Sequence, residues 1–319
     1  MHEHKIIKKY LKPLSTKDQG AMNLNDDIYY DKNNKISISV DTYVEGIHFL
    51  DSNDPKKFLK KVLRASLSDL ICKGVKPKSY FLSFAIPKNL AKTMWLKEIK
   101  KILSNEQKKF GITLSGGDTV QSSKFIISII VLGFPYKKPV FRNSSRINDD
   151  IYVTGNLGDS FIGLNIIKKK NNFGKLNSFF TKKYYEPDLQ TKLIPHLYNI
   201  ATSSIDISDG LGQDLQHLCN NSKCGAEIFI DLLPVSHPCN KLILQKKIKL
   251  TKIFSKGDDY NILFTSPFNN RSKIKNLSKK TKVKITRIGT INKVKNINFK
   301  YNGKNFTIRS KNMGYTHNF

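Results

Sequence analysis

Six short segments constrain this chain more than any other feature: NDDIYYD (25–31), ISVDTYVEGIHF (38–49), LSDL (67–70), SGGDT (115–119), SIDISDGLGQDL (204–215) and KGDDY (256–260). All but the first set a carboxylate beside Gly, Ser or Thr at the end of an apolar run. Carboxylates gathered at strand and helix ends repel one another unless a cation lies among them, and hard oxygen ligands of this kind suit Mg²⁺. The fold must therefore converge several element ends on one point. The pattern predicts a multi-aspartate magnesium site.

The acids stand out because the chain is basic, with 55 Lys+Arg against 25 Asp+Glu and a formal charge of +30. Such a balance suits nucleic acid, an anionic membrane surface or a polyanionic small substrate. The lysines are spread through the whole chain, however, and the densest clusters (168–170, 245–249 and 278–284) lie between the acidic motifs. No zinc-finger spacing and no ribonucleoprotein aromatic motif occurs. A solvated lysine-rich surface is the reading of the charge, with no nucleic acid and no membrane as partner. The 319 residues, 39% of them hydrophobic, suffice for two domains with a core each. The first fifteen residues lack the apolar stretch of a signal peptide, and no run approaches a membrane span. Cys72, Cys219, Cys224 and Cys239 contain no C-x-x-C pair, so reduced thiols and a cytoplasmic location are expected.

Periodicity gives mixed helix and strand. Ile36, Ile38 and Val40 alternate with polar residues, predicting a strand that ends at Asp41. Phe58, Leu59, Val62, Leu63, Ser66, Leu67 and Leu70 recur at helical spacing up to Gly74, which places Asp69 near a helix C-terminus, where the macrodipole disfavours an anion. A strand over 79–87, an amphipathic helix around 94–110 and an apolar strand over 124–134 follow in βαβαβ-like order. The polar stretch 135–150 is the expected domain boundary, dividing 1–140 from 141–319. Beyond it come the strand DIYVTG, an apolar helix FIGLNII, SIDISDG leading into the helix LGQDLQHLCNNS, and the strands AEIFIDLLP and NILFTSP. TGNLGDS (154–160) and SGGDT (115–119) read as Gly-rich turns able to offer backbone N–H groups to a phosphate. A P-loop, a dinucleotide G-x-G-x-x-G opening a helix and H-E-x-x-H are all absent.

Taken in order, the motifs resemble those of the thiamine-monophosphate kinases, whose superfamily also holds aminoimidazole ribonucleotide synthetase and selenophosphate synthetase. The family pattern runs G-D-D, S-T-D-T-L-V-E-G-x-H-F, L-S-D-L-x-x-M-G-x-x-P, G-G-D-T, an R-S segment before G-D-x-I-Y-V-T-G-x-x-G-D-S-x-x-G-L, D-x-S-D-G-L, G-G-E-D-Y-E-L and G-Y-x-H-F. Here NDD (25–27), SVDTYVEGIHF (39–49), LSDLICKGVKP (67–77), GGDT (116–119), RNSSRINDDIYVTGNLGDSFIGL (142–164), DISDGL (206–211), KGDDYNI (256–262) and GYTHNF (314–319) stand in those places, covering nearly the whole chain.

The resemblance implies a two-domain α/β (α+β) fold of the aminoimidazole ribonucleotide synthetase type. Its N-terminal domain would bind ATP and Mg²⁺ and form the sheet or barrel of a homodimer; its C-terminal α/β domain would complete the nucleotide and substrate site. The implied reaction is ATP-dependent phosphorylation of thiamine monophosphate to thiamine diphosphate by direct transfer, with no side chain as nucleophile and no phosphoenzyme. Asp27, Ser39, Val40 (through its carbonyl), Asp41, Asp69, Asp118, Asp206 and Asp209 correspond to magnesium ligands. Gly117, Asp118, Arg142 and Ser208 correspond to ATP contacts, and His48, Asp258 and Tyr315 to the thiamine-phosphate site. Several positions depart from the pattern: Asn25 for Gly, Val40 for Thr, Ser66 for Asn, and Lys256 and Asp258 for the first Gly and the Glu of G-G-E-D. The two rival readings are another ATP-using enzyme of the superfamily acting on a different acceptor, and a basic nucleic-acid-binding protein.

Overall fold

A computed structural model describes residues 3–306 and 313–315, so that Thr316–Phe319 of the GYTHNF motif lie outside the described residues. Its first half opens on a short helix α1 (Glu3–Ile6) and builds β1 (Tyr29–Asp31), β2 (Ile36–Val44), α2 (Leu59–Ile71), β3 (Val75–Ile86), α3 (Thr93–Phe110), β4 (Thr113–Gln121) and β5 (Ile126–Pro135). These strands form a five-stranded sheet in the order β1-β2-β5-β3-β4, parallel only between β3 and β4. The second half contributes β6 (Asp150–Thr154), α4 (Asp159–Ile167), α5 (Asn177–Tyr185), α6 (Ile194–Ile200), β7 (Ser203–Asp206), α7 (Leu211–Ser222) and β8 (Gly225–Phe229). It ends with α8 (His237–Leu244), α9 (Leu250–Ile253), β9 (Ile262–Ser266), α10 (Arg271–Thr281), β10 (Ile285–Asn292), β11 (Ile297–Tyr301) and β12 (Lys304–Phe306). A seven-stranded sheet results, ordered β12-β11-β8-β10-β6-β9-β7.

Helix α2 is the element on which both halves close. The apolar repeat Leu59, Val62, Leu63, Leu67 and Leu70 is fully buried on the first sheet, and the opposite side meets β7 and α5. A helix covered on all sides buries its polar residues too, and each of these finds a partner. The Arg64 guanidinium forks onto Glu106 of α3 at 2.7 and 2.8 Å, and Ser66 Oγ lies 3.0 Å from the Tyr43 hydroxyl. One apolar cluster runs from Phe58 and Phe125 to Leu193, Leu197 and Phe264, so the two sheets share a core. The four cysteines are buried and unbridged.

Three local expectations change. Strand β2 continues past Asp41 to Val44, pairing with β5 through Val44↔Ile126, so Asp41 sits inside a strand. SGGDT is no turn: Ser115–Thr119 belong to β4. The glycines serve a close strand approach at a register shift, where a Cβ on Gly117 would lie 1.9 Å from the Leu82 carbonyl oxygen. The strand expected over 226–234 stops at Phe229, because Ile230–Leu232 turn into a 3-10 helix.

The alternation in β2 also has an unexpected sense. Ser37 and Ser39 face inward, fully buried, whereas Val40 on the other face is 64% exposed. Register carries that outer face across Ile130 of β5 to Phe81 of β3, and Val120 and Phe134 add to it at 48% and 43% exposure.

Candidate active site

Four of the acidic motifs meet where α2 passes between the sheets. Asp69 arrives from the last turn of α2, Asp206 from the end of β7, and Asp27 from the loop before β1; one carboxylate oxygen from each lies within 4.8 Å of the others. Asp41 comes in on the inward face of β2, its Oδ2 accepting from the Tyr43 hydroxyl at 2.8 Å. Asp209 follows in the turn before α7, accepting from Gln213 Nε2 at 2.9 Å.

Packing of this kind strains the anions. Burial raises the carboxyls of Asp41, Asp69 and Asp206 above the usual range, and the charges of Asp41 and Asp206 push Asp69 further. Burial and the neighbouring Asp206 charge lift Asp209 to about 7. Hydroxyls relieve part of the cost, since Ser68 Oγ donates to Asp206 Oδ2 and the nearby Ser39 hydroxyl draws the Asp69 carboxyl partly back down. The buried Ser39 hydroxyl also reaches the Ser66 carbonyl at 3.3 Å. Repelling carboxylates with an all-oxygen donor set fit a hard divalent cation.

A cavity of about 640 Å³ opens from this cluster. Asp41, Asp69, Asp206, Ser208 and Asp209 line one end, and His48, Asp258 and Tyr315 belong to the same wall. The KGDDY segment is laid against the SDG turn by backbone bonds, Asp258 N–H to Ser208 O and Tyr260 N–H to Ile207 O, both 2.8 Å. Gly257 permits that approach, because a Cβ there would meet the Ser208 carbonyl at 1.9 Å. Tyr315 N–H reaches the Asp209 carbonyl at 3.1 Å. His48 accepts from the Val44 N–H through Nδ1 at 2.9 Å, and its ring meets Tyr43 edge-on.

The ATP-contact candidates divide. Arg142 reaches the cluster, its Nε 3.1 Å from Asp27 Oδ2 and its Nη2 bonded to Oδ1, and Ser208 Oγ approaches Asp206 Oδ1 at 3.5 Å. Gly117 and Asp118 do not come to it. Asp118 pairs in register with Ser83, Ser83 with Ser128, and Ser128 with Thr42, which puts it three strands away on the outer face, about 14 Å across the sheet. Val40 borders the cavity while its side chain stands mostly in solvent.

Two lysines escaped the motif reading. Lys61, 4% exposed, bonds Asp258 Oδ1 at 2.8 Å and lies over the Tyr184 ring, 3.9 Å from its centroid. Its signal was present, since Lys61, Ala65 and Asp69 recur every four residues on one side of α2 and all three line the cavity. Lys73 is buried between the Asp26 and Asp27 carboxylates. Asp258 is therefore paired, with Lys61 and with the Tyr260 hydroxyl at 3.0 Å, rather than open to the cavity alone.

Residues 17–134 match the AIR synthase related protein, N-terminal domain, and residues 146–302 the corresponding C-terminal domain. The thiamine-monophosphate kinase of Buchnera aphidicola subsp. Schizaphis graminum is 35% identical over 99% of this chain and 98% of its own. That of Haemophilus influenzae is 33% identical over 92% of this chain and 90% of its own. A solved structure of AaThiL complexed with AMPPCP and TMP superposes with a TM-score of 0.82, covering 99% of this chain and 97% of that one at 23% identity, a likeness of fold. Among the described residues no helix is long and apolar enough to cross a membrane.

Proposed function

The chain belongs to the AIR synthase related family and, within it, to the thiamine-monophosphate kinases, and on that premise we propose that it transfers the γ-phosphoryl group of ATP to thiamine monophosphate, giving thiamine diphosphate and ADP. One observation carries the reading: a single cavity joins the strained carboxylates to His48, Asp258 and Tyr315. Phosphoryl transfer asks little covalent chemistry of a protein and much positioning and charge neutralisation. Mg²⁺ bound among the acids would supply that neutralisation for the phosphate oxygens.

The chain's own residues then divide the work. Asp69 and Asp206, with Asp41 and Asp209 beside them, hold the divalent ions, and Ser39 and the Val40 carbonyl add neutral oxygens. Arg142 carries a planar guanidinium of the kind that suits phosphate oxygens, and Ser208 lines the carboxylate end of the cavity. At the other end His48, Asp258 and Tyr315 bind the thiamine phosphate, with Lys61 fixing the Asp258 carboxylate. The acceptor phosphate is already ionised near neutral pH, so no general base is needed. We place the activity in the cytoplasm, consistent with four unbridged cysteines.

The test is product formation by purified protein given ATP, Mg²⁺ and thiamine monophosphate, with thiamine as control acceptor. Diphosphate from the monophosphate alone is expected, without phosphorylated protein. ATP binding with no diphosphate formed would point to a different acceptor. Asp258→Asn, which keeps an acceptor for Lys61 and Tyr260 but loses the charge, is expected to raise KM for thiamine monophosphate about tenfold, the size of one charge-assisted hydrogen bond, with KM for ATP unchanged. An unchanged KM for both would remove Asp258 from the substrate site.

A homodimer fits the outer face of the first sheet, where Val40, Val120 and Phe134 lie exposed. Asp118 stands on that face, with Gly117 next to it in the same strand, so the nucleotide contacts proposed for them belong to the dimer and not to the single chain. Val40→Lys is expected to shift the sedimenting species from dimer to monomer. A parent protein that sediments as a monomer would sink the assignment.

A further inference from the structure

Asp26 and Asp27 differ from the other acids of the site in how they are neutralised. Lys73, just beyond the C-terminal end of α2, is fully buried. Its ammonium bonds Asp27 Oδ2 at 2.6 Å, Asp26 Oδ1 at 3.1 Å and the Ser204 carbonyl at 2.5 Å. Two carboxylates and a carbonyl gathered around one ammonium are the condition under which such a charge can stay buried. Arg142 completes the shell, with Nη2 on Asp27 Oδ1, Nε on Oδ2 at 3.1 Å, and its backbone N–H on Asp26 Oδ2 at 2.9 Å. Two buried carboxylates thus face two cations fixed to the chain. Among the described residues, Asp41, Asp69, Asp206 and Asp209 have no lysine or arginine within ion-pair distance. They are the half of the cluster left for free ions. At position 73 the family pattern carries Met.

We propose that the Lys73 ammonium takes the place of a metal ion at the Asp26–Asp27 end of the acidic cluster, so that this chain loads one divalent ion fewer than the same cluster with a neutral residue at 73. The inference rests on the reading of the cavity as a divalent-cation site. Asp27 lies within 4.8 Å of Asp69 and Asp206, close enough for its carboxylate to share a divalent ion with them. With Lys73 present, both of its oxygens are engaged by protein cations. With a neutral side chain there, one buried negative charge is left over, and an ion from solution satisfies it.

The experiment counts Mn²⁺ bound per chain by equilibrium dialysis, at one saturating concentration of AMPPCP, for the parent, Lys73→Met and the double variant Lys73→Met/Asp27→Asn. Lys73→Met is expected to bind one more Mn²⁺ than the parent, and its melting temperature to rise more steeply with added Mn²⁺. The double variant, which removes one charge of each sign, is expected to fold without added metal and to bind the parent's number. If Lys73→Met binds the same number as the parent, the proposal fails while the cation site stands. Should Lys73→Met not fold under either condition, the double variant decides. The parent's number supports the proposal; one ion fewer means that Asp27 already ligates a metal in the parent and overturns it. A parent that binds no more Mn²⁺ than the nucleotide itself carries overturns the cation-site reading and this inference with it.

Discussion

Asp69→Asn is expected to lower Mg²⁺-dependent turnover by about 10³-fold or more, the scale on which removal of a group that stabilises transferring charge is felt, while the metal-free protein melts no lower than the parent. The two halves of that result share a cause. Asp69 is held in the cluster at the expense of its own ionisation, raised well above the ordinary carboxyl range by burial and by the charges of Asp41 and Asp206. A neutral amide of the same shape relieves the repulsion. It also removes an anionic oxygen from the triad that converges within 4.8 Å. A gain of stability with a loss of function separates a cation site from a structural one; turnover like the parent's would take Asp69 out of the reaction.

Glu106→Ala is expected to cost about 3–5 kcal/mol, read as a shift in the denaturant midpoint, because it strands a buried guanidinium. Arg64 and Glu106 are each 3% exposed and joined through two hydrogen bonds, and Arg64 Nη1 also donates to the Pro187 carbonyl at 3.1 Å. Removing both charges, as in Arg64→Leu/Glu106→Leu, is expected to recover most of the loss, since apolar replacement of a buried pair is often neutral. A single variant within about 0.5 kcal/mol of the parent would mean that water reaches the guanidinium. The consequence extends to the site, because this pair ties α2 to α3 and to the chain before α6, and α2 carries Lys61, Ser66, Ser68 and Asp69.

Much of this was legible in local order. Helices α2 and α3 repeat apolar residues at helical spacing over 13 and 18 residues, and β5 is an apolar run of 10, lengths at which periodicity is unambiguous. Strands β10, β11 and β12 went unread because their segment mixes lysine and asparagine with isolated apolar residues, and pairing makes them strands, β10 between β8 and β6, β11 on β8 and β12 on β11. SGGDT read as a turn because two adjacent glycines carry the same local signal whether they reverse the chain or let another backbone come close. Only the Leu82 carbonyl against Gly117 distinguishes the two.

The site divides along the same line. The sequence by itself determined which carboxylates exist and that their order matches one family of phosphotransferases, since those are properties of neighbours along the chain. Tertiary structure decided which of them meet. It brought Asp27, Asp69 and Asp206 together across separations of 42 and 137 residues, put Asp118 on the far face through three strand registers, and buried Lys61 and Lys73 against Asp258 and Asp27. Burial and charge pairing depend on what lies across a sheet or beneath a helix, and no window along the chain contains that information.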